Sequence, residues 1–183
     1  MLDILVALPE LKDSIFEKSV ILLKKNQKDL SHFGVILNSE TTLPCHELFS
    51  SLSFPKQEVG YDMVLLGGPV NPDFLWLLHT TEQTSGSSVA FNEKIALTPI
   101  EEMKSFFSSN FSPEIICVGT GCAGWAPGQL EEEINQGSWW MGKVPESLVL
   151  YGNQDSKWDS TLKHFGIDHK FFFDNFSNNH TIN

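Results

Sequence analysis

From Val118 to Ile134 the chain reads VGTGCAGWAPGQLEEEI, with four glycines, a proline and a tryptophan set between an apolar run and an acidic, helix-forming one. No other stretch so narrows the folds open to the chain. Glycine admits positive φ and close backbone approach, and Pro127 has the fixed φ and missing N–H that suit the first position of a helix. A strand over Ile115–Val118, a tight glycine turn and a helix carrying Leu130 and Ile134 inward are therefore expected, with Gly137 ending that helix in the left-handed conformation.

A chain of 183 residues, 41% hydrophobic and 11% aromatic, is long enough to bury one core. The apolar run near Met1 is too short for a secretion signal and carries Asp3 where a basic residue is expected. No run approaches the length of a membrane span, so the expectation is a soluble, cytoplasmic protein. The formal net charge is -11, and all 12 basic residues are lysine. A protein that binds nucleic acid by counterion release needs a dense cationic face, usually with arginine for bidentate contacts. Only Lys24, Lys25 and Lys28 cluster, and they read as a solvated strand end and turn, so no direct nucleic-acid partner is expected. Cys45, Cys117 and Cys122 are odd in number and lack CxxC spacing, which points to reduced thiols. The six histidines form no metal-ligand pattern, so neither a metal nor a cofactor is expected.

Along the chain, Leu2–Leu8 and Ser19–Leu23 read as buried strands, and Phe33–Leu37 follows a polar turn as the second arm of a hairpin. Pro44 opens a helix with Leu48, Phe49 and Leu52 on one face. Met63–Leu66 is a strand leading into the sharp turn Gly67-Gly68-Pro69-Val70 and the turn formers Asn71-Pro72-Asp73. Phe74–Leu78 is apolar at every position, a strand covered on both faces, with His79 at its end, where a side chain can reach a cleft, although a structural role is the simpler reading. The Ser/Thr/Gly-rich loop 81–88 carries no packing signal, and a hairpin is expected around Ala90–Leu97. Thr98-Pro99-Ile100-Glu101 reads as a capped helix start with Met103, Phe106 and Phe107 inward. Trp139–Met141 and Leu148–Tyr151 are expected strands. The last helix is expected to start at Asp155 or Ser156, bury Trp158, Leu162 and Phe165, and stop at Gly166. Phe171–Phe173 is a possible edge strand. A single domain over 1–174, followed by a polar tail over 175–183, accounts for the chain.

The glycine turn before a helix has the outline of a phosphate cradle, but it lacks Gly-Lys-Ser/Thr, and Glu131, Glu132 and Glu133 would repel a phosphate. Cys122 could act as a nucleophile if His79 lay beside it; a small residue filling the turn is the simpler reading, because nearby glutamates oppose thiolate formation. Glu131 and Glu133 face different sides of a helix and do not make an acid/base pair. They read as a solvated acidic turn at the positive helix end.

Several of these pieces, taken together and in order, resemble the bacterial AlgH/YqgE family. They are Leu5–Pro9 with Phe16 and Ser19-Val20-Ile21, Gly34-Val35-Ile36 with Asn38, Leu66–Val70 with Leu78-His79, and Ala123–Glu131 with Glu133-Ile134, spanning roughly residues 3 to 168. The sequence departs from the usual pattern at Cys122, where an aromatic is expected, and at Lys18, where an arginine is. The resemblance implies an α+β fold in which a bent, partly closed, mostly antiparallel, barrel-like β-sheet is flanked by helices. It implies no agreed activity and no catalytic residues, although some members are labelled transcriptional regulators of exopolysaccharide synthesis.

Backbone-exposing glycines and a tryptophan on turns point to a binding or regulatory module with a protein or small-molecule partner. The expected surface joins Gly67, Gly68, Pro69 and His79 to Gly124, Trp125, Gly128 and Gln129. It requires the two glycine segments to meet and Trp125 to be accessible. The alternative is a hydrolase- or transferase-like enzyme using Cys122 or His79.

Overall fold

The computed structural model describes residues 1–12, 14–54, 58–102 and 113–167. Alternating and continuous apolar runs form the strands where the sequence places them: β1 Leu2–Ala7, β2 Val20–Lys25, β3 His32–Ile36 and β5 Met63–Leu66. β1 pairs antiparallel with β2, and β2 with β3. Asn38 pins the start of that hairpin, accepting from Val20 N at 2.8 Å and donating to Lys18 O at 2.9 Å. One strand has no counterpart in the sequence reading, β4 Glu40–Pro44. It is polar and mostly exposed, and it carries no hydrophobic alternation to betray it.

α1 Cys45–Ser51 follows with Pro44 at its cap position, and Leu48 and Phe49 pack under it. β6 Val70–Thr80 is longer than the apolar segment Phe74–Leu78. The turn formers Asn71, Pro72 and Asp73 do not interrupt it. They make an irregularity between Val70 and Leu75, with Asn71 at φ 49°. The expected hairpin is β7 Val89–Ala90 with β8 Ile95–Pro99. Thr98 and Pro99 therefore end a strand instead of capping a helix, and a single 3₁₀ turn follows at 100–102. The rest of that expected helix, with Met103, Phe106 and Phe107, lies outside the described residues, as do Phe171–Phe173 and the tail.

The larger correction concerns the glycine stretch. β9 Ile115–Trp125 runs straight through Gly119, Gly121 and Gly124 as one eleven-residue strand. Only Ala126–Gly128 turns, so Pro127 lies in that turn and Gly128, at φ 83°, occupies the cap position of α2 Gln129–Asn135. The glycines fooled a local reading because the backbone freedom that makes a turn also lets a strand bend and be crossed.

β10 Trp139–Val144 pairs antiparallel with β1. Leu148–Tyr151 is not a strand: Glu146–Val149 forms the short helix α3 after Pro145. α4 Gln154–His164 begins at Asn153, whose side chain accepts from Asp155 N at 2.7 Å, just before the expected start. Trp158 and Leu162 are buried, and Gly166 takes φ 74° beyond the end.

The strands form one sheet in the order β10-β1-β2-β3-β9-β6-β8-β7, with β5 adding to β9 and β4 to β5. All pairings are antiparallel except β5 with β9. The sheet curls into a half-barrel flanked, among the described residues, by helices α1 to α4, which is the expected α+β architecture. One face, with Leu2, Ile4, Leu22, Trp76 and Leu78, packs under α4. The opposite face, with Leu5, Ile21, Ile36 and Trp125, packs under Leu130 of α2.

Candidate functional site

β9 is the hinge of the sheet. Along one edge it pairs with β6 from Ile115 to Cys122; along the other it pairs with β5 at Gly119–Thr120 and then with β3 at Ala123–Trp125. β5 and β6 thus lie on opposite edges of β9, yet only Gly67-Gly68-Pro69 separates them. That link must pass directly across β9, backbone on backbone.

The glycines make this crossing possible. A Cβ on Gly68 would sit 2.3 Å from Cys122 O, and one on Gly121 would sit 2.3 Å from Gly68 O. Gly67 N donates to Thr120 O at 2.8 Å and Gly67 O accepts from Ile36 N at 2.9 Å. The Trp76 indole lies on the joint and donates to Gly121 O at 2.7 Å; a Cβ on Gly119 would meet that ring at 2.1 Å. The two glycine segments do meet, as the sequence reading required, but they meet as a packed joint.

Of the expected surface residues, Pro69, Gly124, Gly128 and Gln129 are exposed, and Gly67 and Gly68 are buried. Trp125 is 4% exposed and His79 0% exposed. Trp125 therefore cannot present the face expected of it. Its ring packs edge-on to Trp139 with centroids 6.0 Å apart and lies 6.4 Å from Phe16. Glu133 holds this cluster: Oε2 accepts from Trp125 Nε1 at 2.9 Å and Trp139 Nε1 at 2.8 Å, and Oε1 accepts from Gln129 Nε2 at 2.9 Å. Gln129 in turn accepts from Ala126 N at 3.0 Å and closes the turn before α2. The reading of Glu133 as a solvated helix-end charge is corrected. Its i, i+4 spacing from Gln129 was visible, but the two indole donors come from other elements.

His79 does not face a cleft. Its Nδ1–H donates to Thr80 O at 2.7 Å, since a carbonyl can only accept, which leaves Nε2 to accept from the Thr98 hydroxyl at 2.7 Å. Ser88 Oγ lies 2.6 Å from the Thr98 oxygen, which anchors the Ser/Thr-rich loop to the same chain. Burial lowers the imidazole pKa, against the bond to Thr80 and the charge of Glu82. A neutral histidine joining β6 to β8 results.

Cys122 is buried, with Sγ 3.7 Å from Val70 O, and burial raises its thiol pKa. Cys122 pairs with Val70 and His79 with Ile115. At about 3.3 Å per residue along β9 these positions are roughly 20 Å apart. They cannot form a nucleophile and base.

Two openings are lined by described residues. Beside the crossing lies a groove of about 390 Å³, lined by Thr41 and Leu43 of β4, Leu48 of α1, Val64 of β5, Pro72, Asp73 and Leu75 of β6, and Thr120 of β9. Thr41 donates to Val64 O at 2.8 Å, and Thr120 donates to Pro72 O. With both hydroxyl protons engaged, Asp73 is the charged group on an otherwise apolar wall. None of the residues in the expected surface lines this groove. Its walls come from four strands and a helix, so no local motif announces it. A second, polar cavity of about 370 Å³ lies among Glu40, Gly60–Met63 and Gly152–Asp155. Behind its Tyr61 sits Lys157, 2% exposed, donating to Tyr61 Oη at 2.8 Å and to Val149 O, while Tyr61 donates to Leu150 O at 2.6 Å. Burial lowers the Lys157 pKa to about 8, although Cys117 opposes the shift. Among the described residues, no group of three His, Cys, Asp or Glu side chains is arranged to hold a metal, and no helix is long and apolar enough to cross a membrane.

Comparison with known proteins agrees with this architecture. A UPF0301 protein of Histophilus somni strain 2336 is 33% identical over 172 residues, covering 92% of this chain and 91% of the relative. A UPF0301 protein of Shewanella sp. strain ANA-3 is 28% identical over 169 residues, covering 90% of each. The solution structure of AlgH from Pseudomonas aeruginosa superposes with a TM-score of 0.72 at 20% identity, covering 94% of this chain and 92% of that one. A crystal structure from Corynebacterium diphtheriae gives 0.65 at 21% identity, covering 88% and 85%. The sequence model of the family described as AlgH-like matches residues 4–170, and the chain belongs to that family.

Proposed function

We propose that the protein is a binding or regulatory module whose contact site is the groove beside the β5–β6 crossing. The occupant is an apolar group ending in a cation or N–H donor, on a small molecule or a partner protein. The groove carries this reading: an opening of about 390 Å³, apolar except for the engaged threonines and Asp73, has the size and lining of a small-ligand site. Most of its walls are paired strands, β4, β5, β6 and β9, so little ordering of the chain accompanies binding. The enzyme alternative is disfavoured by the separation of Cys122 from His79 and by the burial of both. Direct action on nucleic acid is disfavoured by a charge of -11 without arginine.

Amide and methyl NMR of the full chain, titrated with small alkylamines and aryl-guanidines, tests the proposal. Shifts should concentrate at Thr41, Leu43, Val64, Leu75 and Thr120 and vanish in Leu43→Lys, while Asp73→Asn should weaken cationic probes by about fivefold or more and leave neutral ones unchanged. Shifts that map to the Tyr61 cavity, or none at millimolar probe, would overturn it.

A further inference from the structure

β4 is an edge strand. It pairs with β5, and among the described residues no strand pairs with its other side. Ser39 O accepts from Leu66 N at 2.8 Å on the β5 side, so in the alternating ladder of a strand the peptide groups of Glu40 face outward. Leu43 N is turned onto the Thr41 hydroxyl at 3.1 Å, and Pro44 has no N–H, which keeps the outward stretch short.

The two faces of this edge open onto different recesses. Successive side chains of a strand point to opposite faces. Thr41 and Leu43 line the apolar groove, whereas Glu40 lines the polar cavity. β5 repeats the division, with Val64 on the groove and Met63 on the cavity. β4 is therefore a rim shared by both openings. A chain laid beside it, at the strand spacing of about 4.8 Å, would turn one residue toward the groove and the next toward the cavity.

Charge decides what kind of chain fits. Asp73 is on the groove, and Glu40, Asp62 and Asp155 are on the cavity; all four are exposed, and none makes an ion pair among the described residues. Among the described residues no lysine lines either opening. Burial, and then the charges of Asp62 and Glu40, push the thiol of Cys45, the residue after β4, up to about 11. The rim and its surroundings are negative.

We propose that β4 is the docking edge for an extended segment of a partner protein, which pairs with the peptide groups of Glu40 and carries two consecutive basic residues, one for each recess. The proposal rests on the groove reading above and names its occupant, since a lysine or arginine side chain is an apolar stem ending in a cation. Main-chain pairing supplies affinity and the alternate side chains supply specificity. The cavity carboxylates are solvated, so a free amine gains little from them, whereas a second basic residue is held beside them by the first.

Amide NMR and water-exchange measurements on the full chain test this with the peptide acetyl-Thr-Val-Arg-Lys-Val-Thr-amide, beside a titration with phenylguanidine. The peptide should shift Glu40, Thr41 and Leu43 and slow exchange of the Glu40 amide at least about fivefold, which phenylguanidine should not do. N-methylation of the arginine and lysine amides of the peptide, or replacement of both residues by glutamate, should weaken binding at least about tenfold. Phenylguanidine shifts in the groove together with an unprotected Glu40 amide, or with equal affinity of the N-methylated or glutamate peptide, would overturn the edge and leave the groove reading standing. No groove shift with phenylguanidine would overturn the groove reading and this proposal with it.

Discussion

At the scale of single residues, Glu133 decides more than any cysteine or histidine. Its carboxylate receives three N–H donors, two of them indoles from strands that β1, β2 and β3 keep apart in the sheet. A charged acceptor shared among such donors is worth more than a neutral one, and removing it strands the indole N–H groups in a buried cluster. Glu133→Gln keeps the shape but must turn an NH₂ toward at least one donor. Urea denaturation should show a loss of about 2 kcal/mol, larger than for Glu132→Gln on the exposed side of the same helix. Equal losses would mean that the indoles find other acceptors. The local spacing of Gln129 and Glu133 was legible, but nothing in the sequence said that Trp125 and Trp139 would bring their N–H groups to the same oxygen. His79 shows the converse: its place beside an apolar strand was legible, but the Thr98 and Ser88 hydroxyls that seal it in came from another hairpin.

Among the elements, the crossing of β5 into β6 over β9 sets the fold. Gly68 and Gly121 touch backbone to backbone, so a side chain at either position has no room, and Gly121, at φ 68°, is also in a region that side chains disfavour. Gly121→Ala should cost at least about 3 kcal/mol or prevent folding, whereas Gly128→Ala, which also has positive φ but meets nothing within 4 Å, should cost about 1 kcal/mol. Comparable destabilisation of the two variants, measured by thermal and urea unfolding, would show that conformation and not contact governs Gly121. The same comparison explains why a turn was expected here. Sequence reports that glycines are needed, and both a turn and a crossing need them; only the partner strand distinguishes the two. α3 was misread for a related reason, since Leu148, Val149 and Leu150 form an apolar run too short for its period to separate strand from helix.

For the molecule as a whole, Lys157 couples stability to pH. It is buried between α4, α3 and the segment entering β5, and its pKa falls from 10.5 to about 8. The unfolded chain holds that proton to higher pH, so between about 8 and 10.5 the unfolded state binds more protons and stability rises with pH. Below about 8 both states are protonated, and the folded protein bears the cost of the buried charge. Lys157→Met should remove this rise. Urea midpoints measured from pH 7 to 10.5 should converge or cross, the native protein gaining on the order of 3 kcal/mol relative to the variant across that range. Parallel curves would show that Lys157 titrates as it does in water. Groups that do not touch Lys157 titrate alike in both proteins and cancel in the difference, while burial holds its neighbours Tyr61 and Cys117 protonated across this range.

The sequence by itself determined the strand-forming runs of β1, β2, β3, β5 and β10, the helices that begin near Pro44, Gln129 and Asn153, and the family to which the chain belongs. Each follows from local periodicity, a cap or a turn residue, quantities defined over a few neighbouring positions. Tertiary structure alone decided that the glycine stretch is a crossed strand, that Trp125 and His79 are interior, and that the open groove lies among Thr41, Leu43, Asp73 and Thr120. Those outcomes depend on which segment lies across which, and burial, hydrogen-bond partners and cavities are properties of pairs of elements far apart along the chain.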